Sequence, residues 1–249
     1  MTDGYLKPPS GTEQAVPDRV LVVVAHPDDV DFGSGGTVAT WTSKGAYVCY
    51  CIVTDGAAGS QDPAIDLGSL VEVRKQEQRA AAATIGVKDV SFLGYPDGRL
   101  VASLEVRRDI VREIRRVRPD RVVCQSPERN YDRIRSSHPD HLAAGEAALC
   151  AVYPDARNPY IYPELLEQEA LEPFEVPEVW MMAAPLADRY VDITEHIEDK
   201  IAALLCHRSQ IADPGRLGEM IRSWSMANAG SAGLEQGRLA EVFRAIDTR

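Results

Sequence analysis

The sequence predicts an α/β fold, a mostly parallel sheet with helices on both faces. Three observations predict it. Short, continuous β-branched runs recur, and such runs suit strands buried on both faces. Helix-forming segments separate them. Each run closes in Gly, Pro, Asp or a polar loop, where the chain can turn. Strands alternating with helices imply βαβ units, right-handed crossovers and strand C-termini along one edge, where open α/β sheets take their ligands.

The elements follow in order. Arg19 to Ala25 reads as the first strand and ends in His26-Pro-Asp-Asp29, where Pro27 stops the ladder. Gly33-Ser-Gly-Gly36 precedes a helix expected over Thr37 to Lys44. Tyr47 to Val53 is the second strand, closed by Thr54-Asp-Gly56. Ala-rich Leu70 to Ile85 is a helix, with Gly86 suited to follow its end. Val90 to Leu93 is the third strand, Leu104 to Val117 the next helix and Arg121 to Cys124 the fourth strand. A polar loop, Gln125 to Ser137, leads to a helix over Pro139 to Val152. Tyr153 to Pro177 looks irregular and is the expected source of pocket walls, and Glu178–Ala183 and Arg189–Ile193 are added strands. Glu195 to Ser209, Arg216 to Trp224 and the final segment to Arg249 read as helices. No repeat or long linker divides the chain, so residues 18–249 are expected to form one domain behind a flexible arm of residues 1–17.

Composition bounds the function. The 249 residues include 38 acids and 27 Lys or Arg, for a net charge of −11. That argues against nucleic acid and against an anionic membrane surface as partners. No apolar run approaches the roughly 20 residues of a membrane span. The N-terminal stretch lacks the basic start and apolar core of a secretory signal. Five scattered cysteines fit reduced thiols, so a cytoplasmic location is expected.

The chemistry-bearing residues fall where strands end. His26, Asp28 and Asp29 follow the first strand, Asp55 the second, Asp97 the third, and His138, Asp140 and His141 the fourth. His26 and Asp29, three apart, can aim at one point, and His141 can supply a third ligand. Two imidazoles and a carboxylate suit a zinc-like divalent ion with a position left for water, whose pKa falls to about 7 on such an ion. Asp28 can then accept the water's proton. His138 can hydrogen-bond a developing oxyanion, with Asp140 holding its ring.

Blander readings compete. Asp55 and Asp97 each suit a turn, and a lone His-Pro-Asp is ordinarily a capped turn. Cys49 and Cys51 share one strand face and read as core, as do Cys124, Cys150 and Cys206. Gly33-Ser-Gly-Gly36 is not a dinucleotide fingerprint. No Gly-x-Ser-x-Gly elbow supports a serine hydrolase. The arginines of Arg129 to Arg135 can meet an anionic substrate or simply be solvated.

Ala25-His-Pro-Asp-Asp29, then Gly33-Ser-Gly-Gly-Thr37, with His138-Pro-Asp-His141 downstream, resembles the PIG-L/LmbE-like deacetylase family. The likeness runs from about residue 19 to 152, with an echo in His207-Arg-Ser-Gln210. It implies a Rossmann-like fold and zinc-dependent removal of an acyl group from an amide nitrogen, with iron(II) as the alternative metal. It implies His26, Asp29 and His141 as ligands, Asp28 as general base and His138 with Asp140 on the oxyanion side. Arg74 and Asp97 become substrate-pocket candidates, with a helix-surface pairing of Arg74 to Glu77 or Gln78 as the competing reading. Two positions depart from the family pattern. Val30 stands where Glu is common, with Asp31 next, and Ser136 stands where mycothiol-pathway members carry a tyrosine. Tyr131 or a tyrosine between Tyr153 and Tyr162 is then the candidate carbonyl polariser. The expected substrate is a small N-acyl molecule, an N-acetylated amino sugar or its conjugate. An amidase for larger acyl or thiol conjugates and a non-catalytic binding module are the alternatives. A homo-oligomer stays open, with Trp180-Met-Met182 and Trp224 as interface or core residues.

Overall fold

Five β-branched or apolar runs form the parallel part of a seven-stranded sheet. The computed structural model describes residues 15–249, so the first 14 residues of the expected arm lie outside the described residues. The strands are β1 (Arg19–Val24), β2 (Tyr47–Thr54), β3 (Asp89–Tyr95), β4 (Arg121–Gln125), β5 (Glu178–Met182), β6 (Arg189–Asp192) and β7 (Ala240–Asp247). Their order is β3-β2-β1-β4-β5-β7-β6. β1 to β5 run parallel, and β7 enters antiparallel between β5 and β6.

The helices are α1 (Asp29–Ser43), α2 (Leu67–Thr84), α3 (Leu104–Val117), α4 (Pro139–Cys150), α5 (Pro163–Glu167), α6 (Ile197–Leu204) and α7 (Pro214–Ser231). Alternation along β1 assigns them to faces. Leu21, Val23 and Ala25 pack with Ile110 and Ile114 of α3 and Ala144 of α4. Val20, Val22 and Val24 pack with Val38 of α1, Ala81 of α2 and Ala203 of α6. Both faces are covered, as a parallel sheet requires. Cys49, Cys51 and Cys124 are buried in these cores, whereas Cys150 and Cys206 are partly exposed.

Three expectations are corrected. The helix expected from Thr37 begins at Asp29 and runs through the glycines. Packing overrides their poor helix propensity: a Cβ on Gly36 would lie 2.7 Å from Ile193, and one on Gly33 2.5 Å from Met182. The helix expected over Glu195–Ser209 stops at Leu204, and a tight turn then carries His207 inward to Asp31. The C-terminal segment read as helix is strand β7, paired to β5 and β6. Tertiary pairing decides it, because Phe243 fills the core beside Trp180 and Glu241 meets Lys200. Trp180, Met181 and Met182 are core, while Trp224 is half-exposed on α7.

The chain leaves β1 toward β2 on one side, and β4 lies on the other. That reversal is the topological switch point where an open α/β sheet forms a crevice at its strand C-termini.

Candidate metal centre and active site

β1 ends at Val24, and His26 to Asp29 cross the crevice before α1 starts. Asp28 caps α1 at φ 98° and ψ −28°, a left-handed conformation that strains a residue with a Cβ. On the other side of β1, His138 caps α4, Pro139 opens it and His141 follows within its first turn.

Three donor groups meet there. His26 Nδ1 lies 3.2 Å from His141 Nε2 and 3.3 Å from Asp29 Oδ2, and His141 Nε2 lies 3.0 Å from Asp29 Oδ1. Ligands 2.0–2.1 Å from a tetrahedral ion stand about 3.3 Å apart, so the donor set and its spacing fit zinc. The far side of each imidazole offers an acceptor that selects its tautomer, Nε2–H for His26 and Nδ1–H for His141. His26 Nε2 faces Asp97 Oδ1 at 3.1 Å and Asp140 Oδ2 at 3.3 Å. His141 Nδ1 faces the Ser136 carbonyl at 3.3 Å. Protons on those nitrogens leave His26 Nδ1 and His141 Nε2 as lone pairs aimed at one point, the carboxylate–histidine arrangement of metal sites.

Charge distribution follows from these contacts. Burial alone would lower the pKa of His26, but Asp29 and Asp97 hold it up at about 11. Burial would raise Asp29, yet His141 and His26 keep it well below the usual carboxylate range. Burial lowers His141, and Asp29 more than offsets that. These basic imidazoles among carboxylates mark a place where a divalent cation can stand in for protons.

Asp28 stands beside this triangle. Burial, then the Asp29 charge, push its pKa up to about 7, against the pull of Arg74, His207 and His26. Arg74, from α2, donates to the carbonyls of Gly56 and Pro27 at 2.8 Å each and to Asp28 Oδ2 at 3.1 Å. It is buried, with its planar fork occupied by this loop. The competing reading, a helix-surface pairing with Glu77 or Gln78, is not what forms: Glu77 accepts from Ser209, and Gln78 turns to Asp28 and Asp31. Asp97 is engaged with His26, the Ala58 N–H at 3.0 Å and Arg74 at 3.8 Å. Both side chains expected to line the substrate pocket therefore hold the site's own parts.

His138 is exposed at the rim, its ring 5.0 Å from that of His26. Its Nδ1 accepts the Asp140 backbone N–H at 3.3 Å, which leaves Nε2–H as a donor. Burial, then His26 and His141, lower its pKa and favour the neutral ring. The expected hold of Asp140 on His138 is corrected. The Asp140 carboxylate turns to His26 and accepts the N–H of Gly98 at 2.7 Å and of Leu100 at 3.2 Å, because those groups lie on the buried side. Asp55 is a turn residue, accepting from the Ala57 and Asp97 amides.

Three residues, Gln78, His207 and Gln125, were not among the expected site residues. Gln78 accepts the Asp28 N–H at 2.7 Å and donates to Asp31 Oδ2 at 2.9 Å. His207 Nε2 reaches the same Asp31 oxygen at 2.8 Å. Gln125, ending β4, accepts the Ala25 N–H at 2.9 Å and ties β1 to β4 beneath the crevice. Val30 is buried in the core, and Asp31 beside it is buried against His207 and Gln78. The echo of His207-Arg-Ser-Gln210 hinted at His207, and the departure at Val30 pointed to Asp31. Tyr131, Tyr153 and Tyr160 are strongly exposed, and the Tyr162 hydroxyl donates to the Leu104 carbonyl. Asp155 to Ile161 wrap Arg115 of α3 with their carbonyls, and Asp155 pairs with Arg107, so this stretch is anchored on α3.

Residues 21–152 match the family model of the GlcNAc-PI de-N-acetylases, PIG-L. The chain belongs to this family. It is therefore a hydrolase of amide carbon–nitrogen bonds, as the paired motifs led the sequence reading to expect. It is 32% identical over 195 residues to the diacetylchitobiose deacetylase of Thermococcus kodakarensis, covering 78% of this chain and 71% of that protein. It is 29% identical to a probable N-acetyl-α-D-glucosaminyl L-malate deacetylase of Bacillus anthracis, over 78% of this chain and 82% of the other. Among solved structures it resembles the N,N'-diacetylchitobiose deacetylase of Pyrococcus horikoshii, with a TM-score of 0.84, 30% identity and coverage of 93% and 85%.

Proposed function

We propose that this chain is a zinc-dependent N-deacetylase that releases acetate from an N-acetylated amino sugar or its conjugate. The observation that carries the reading is the triangle of His26 Nδ1, Asp29 and His141 Nε2, with separations of 3.0–3.3 Å, beside the strained Asp28. A zinc ion held there supplies Lewis acidity to the substrate carbonyl and lowers the pKa of a water it binds to about 7. Iron(II) is accommodated by the same donors.

The remaining steps belong to the chain's own residues. Asp28, whose affinity for a proton is raised by burial and the Asp29 charge, takes a proton from water as the water oxygen attacks the amide carbon. His138 donates Nε2–H to the oxyanion that develops. Asp28, now protonated, returns the proton to the departing amine as the C–N bond breaks. The products are acetate and a free amine. Asp97, Asp140 and the Ser136 carbonyl orient the two imidazoles, and Arg74 fixes Asp28. Similarity to deacetylases of diacetylchitobiose and of N-acetylglucosaminyl malate supports amino-sugar substrates. Among the described residues no helix is long and apolar enough to cross a membrane. The five cysteines are free thiols, the state that a reducing cytoplasm maintains.

The test is acetate release by metal-stripped protein before and after zinc, across N-acetylglucosamine, N,N'-diacetylchitobiose and N-acetylglucosaminyl conjugates of malate and inositol. Zinc-dependent acetate from at least one is expected. None from any, with longer acyl chains released instead, would replace this reading with the amidase.

A further inference from the structure

Asp28 combines a demanding role with an unfavourable backbone. Its φ of 98° is rarely adopted by residues with a Cβ, and such a conformation persists only where neighbours over-determine it. We infer that Gln78 and His207 are positioning residues that lock Asp28 in this conformation, through one hydrogen-bonded line running from the turn after α6 to the Asp28 amide. The inference rests on the reading of Asp28 as the base.

The line has three links. His207 Nε2 meets Asp31 Oδ2 at 2.8 Å, Gln78 Nε2 donates to that same oxygen at 2.9 Å, and Gln78 Oε1 accepts the Asp28 N–H at 2.7 Å. Each link fixes the next. A carboxylate accepts only, so Asp31 obliges Gln78 to present its nitrogen. The amide oxygen is then aimed the other way, where the Asp28 N–H requires an acceptor. His207 holds the same Asp31 oxygen that Gln78 donates to. Asp31 and Gln78 are 0% exposed and His207 1%, so water does not substitute for a lost partner. Arg74 lies one helical turn before Gln78 on α2 and grips the Pro27 carbonyl and the Asp28 carboxylate. One face of α2 thus holds Asp28 by its amide and by its side chain together. None of these contacts touches His26 or His141, so the line is aimed at the base and not at the imidazole ligands.

His207→Ala, His207→Gln and Gln78→Met test it in the full-length, zinc-loaded protein. His207→Ala and Gln78→Met should lower kcat by about 10- to 100-fold, with KM and zinc affinity by chelator competition within about two-fold. His207→Gln keeps a nitrogen donor near the Nε2 position and should recover most of the lost rate. Hydrogen exchange at the Asp28 amide should speed up in the first and third variants and not in His207→Gln. A general loss of folding would instead lower zinc affinity along with kcat. Unchanged kcat, zinc affinity falling in step with kcat, or His207→Gln as impaired as His207→Ala would overturn the inference. If loaded wild-type protein releases no acetate from any amide, the deacetylase reading fails, and unchanged exchange at Asp28 in His207→Ala and Gln78→Met would still overturn the lock.

Discussion

Asp28 and Asp29 are neighbours with opposite electrostatics. Burial and the adjacent charge push Asp28 up to about 7, while His141 and His26 overcome burial to hold Asp29 well down. Burial and charge thus make one carboxylate easier to protonate and keep the other charged. Asp28→Asn should therefore keep zinc affinity within a few-fold and lose about 10²- to 10⁴-fold in kcat, measured by acetate release beside chelator competition. Loss of zinc instead would make Asp28 a ligand. On the proposed mechanism, in which His138 donates to the oxyanion, His138→Ala should lower kcat by about 10²- to 10³-fold with zinc retained. These residues were legible because His26, Asp28 and Asp29, and again His138, Asp140 and His141, sit in two four-residue motifs whose spacing is local. The roles of Gln78 and His207 were not, because their contacts to Asp31 span 47 and 176 residues and leave no periodic trace. Arg74 and Asp97 were found, but their attachment to Asp28 and His26 needed coordinates.

At the scale of elements, α1 shows how the crevice is braced from behind. Glu241, on β7, accepts the N–H groups of Gly36 and Thr37 at 3.0 and 2.7 Å, and Lys200, on α6, donates to the Phe32 carbonyl at 2.6 Å and to Glu241. The pair enters the hydrogen-bond ladder in the middle of the helix, and both residues are buried. Removing one member strands a buried charge, so Glu241→Ala should cost about 3–5 kcal/mol in urea or guanidinium unfolding. Lys200→Met added to Glu241→Leu should recover only part of that, because two helix N–H groups stay unmatched. A full recovery would show that the ladder contacts contribute nothing. The strands of the parallel half were readable since burial on both faces writes continuous apolar runs. β7 was misread because Ala, Glu and Arg favour helices locally, and its strand identity comes from partners more than 40 residues away, β5 and β6.

For the whole molecule, the topology converts separation in sequence into proximity. The switch between β1 and β4 places His26 beside His141, 115 residues on. The α/β class and its ligand edge were legible from alternation alone, whereas the antiparallel extension rests on long-range pairing. Global stability should also report the buried His207. Burial lowers its pKa, but the hydrogen bond and charge of Asp31 raise it above its ordinary value. The folded state then holds this proton more tightly than the unfolded chain. The contribution is complete below about pH 6.5 and is lost as pH rises through the folded-state pKa. Unfolding free energy of the loaded wild type should fall more steeply above that pH than that of His207→Gln, by denaturant titration at several pH values. Parallel curves would rule this linkage out.

X-ray absorption at the zinc edge of the loaded protein tests the central claim most directly. Two imidazole nitrogens with carboxylate and water oxygens at about 2.0–2.1 Å are predicted, with the imidazole signal reduced in His141→Ala. Sulfur scattering at about 2.3 Å, or a spectrum that His141→Ala leaves unchanged, would contradict it.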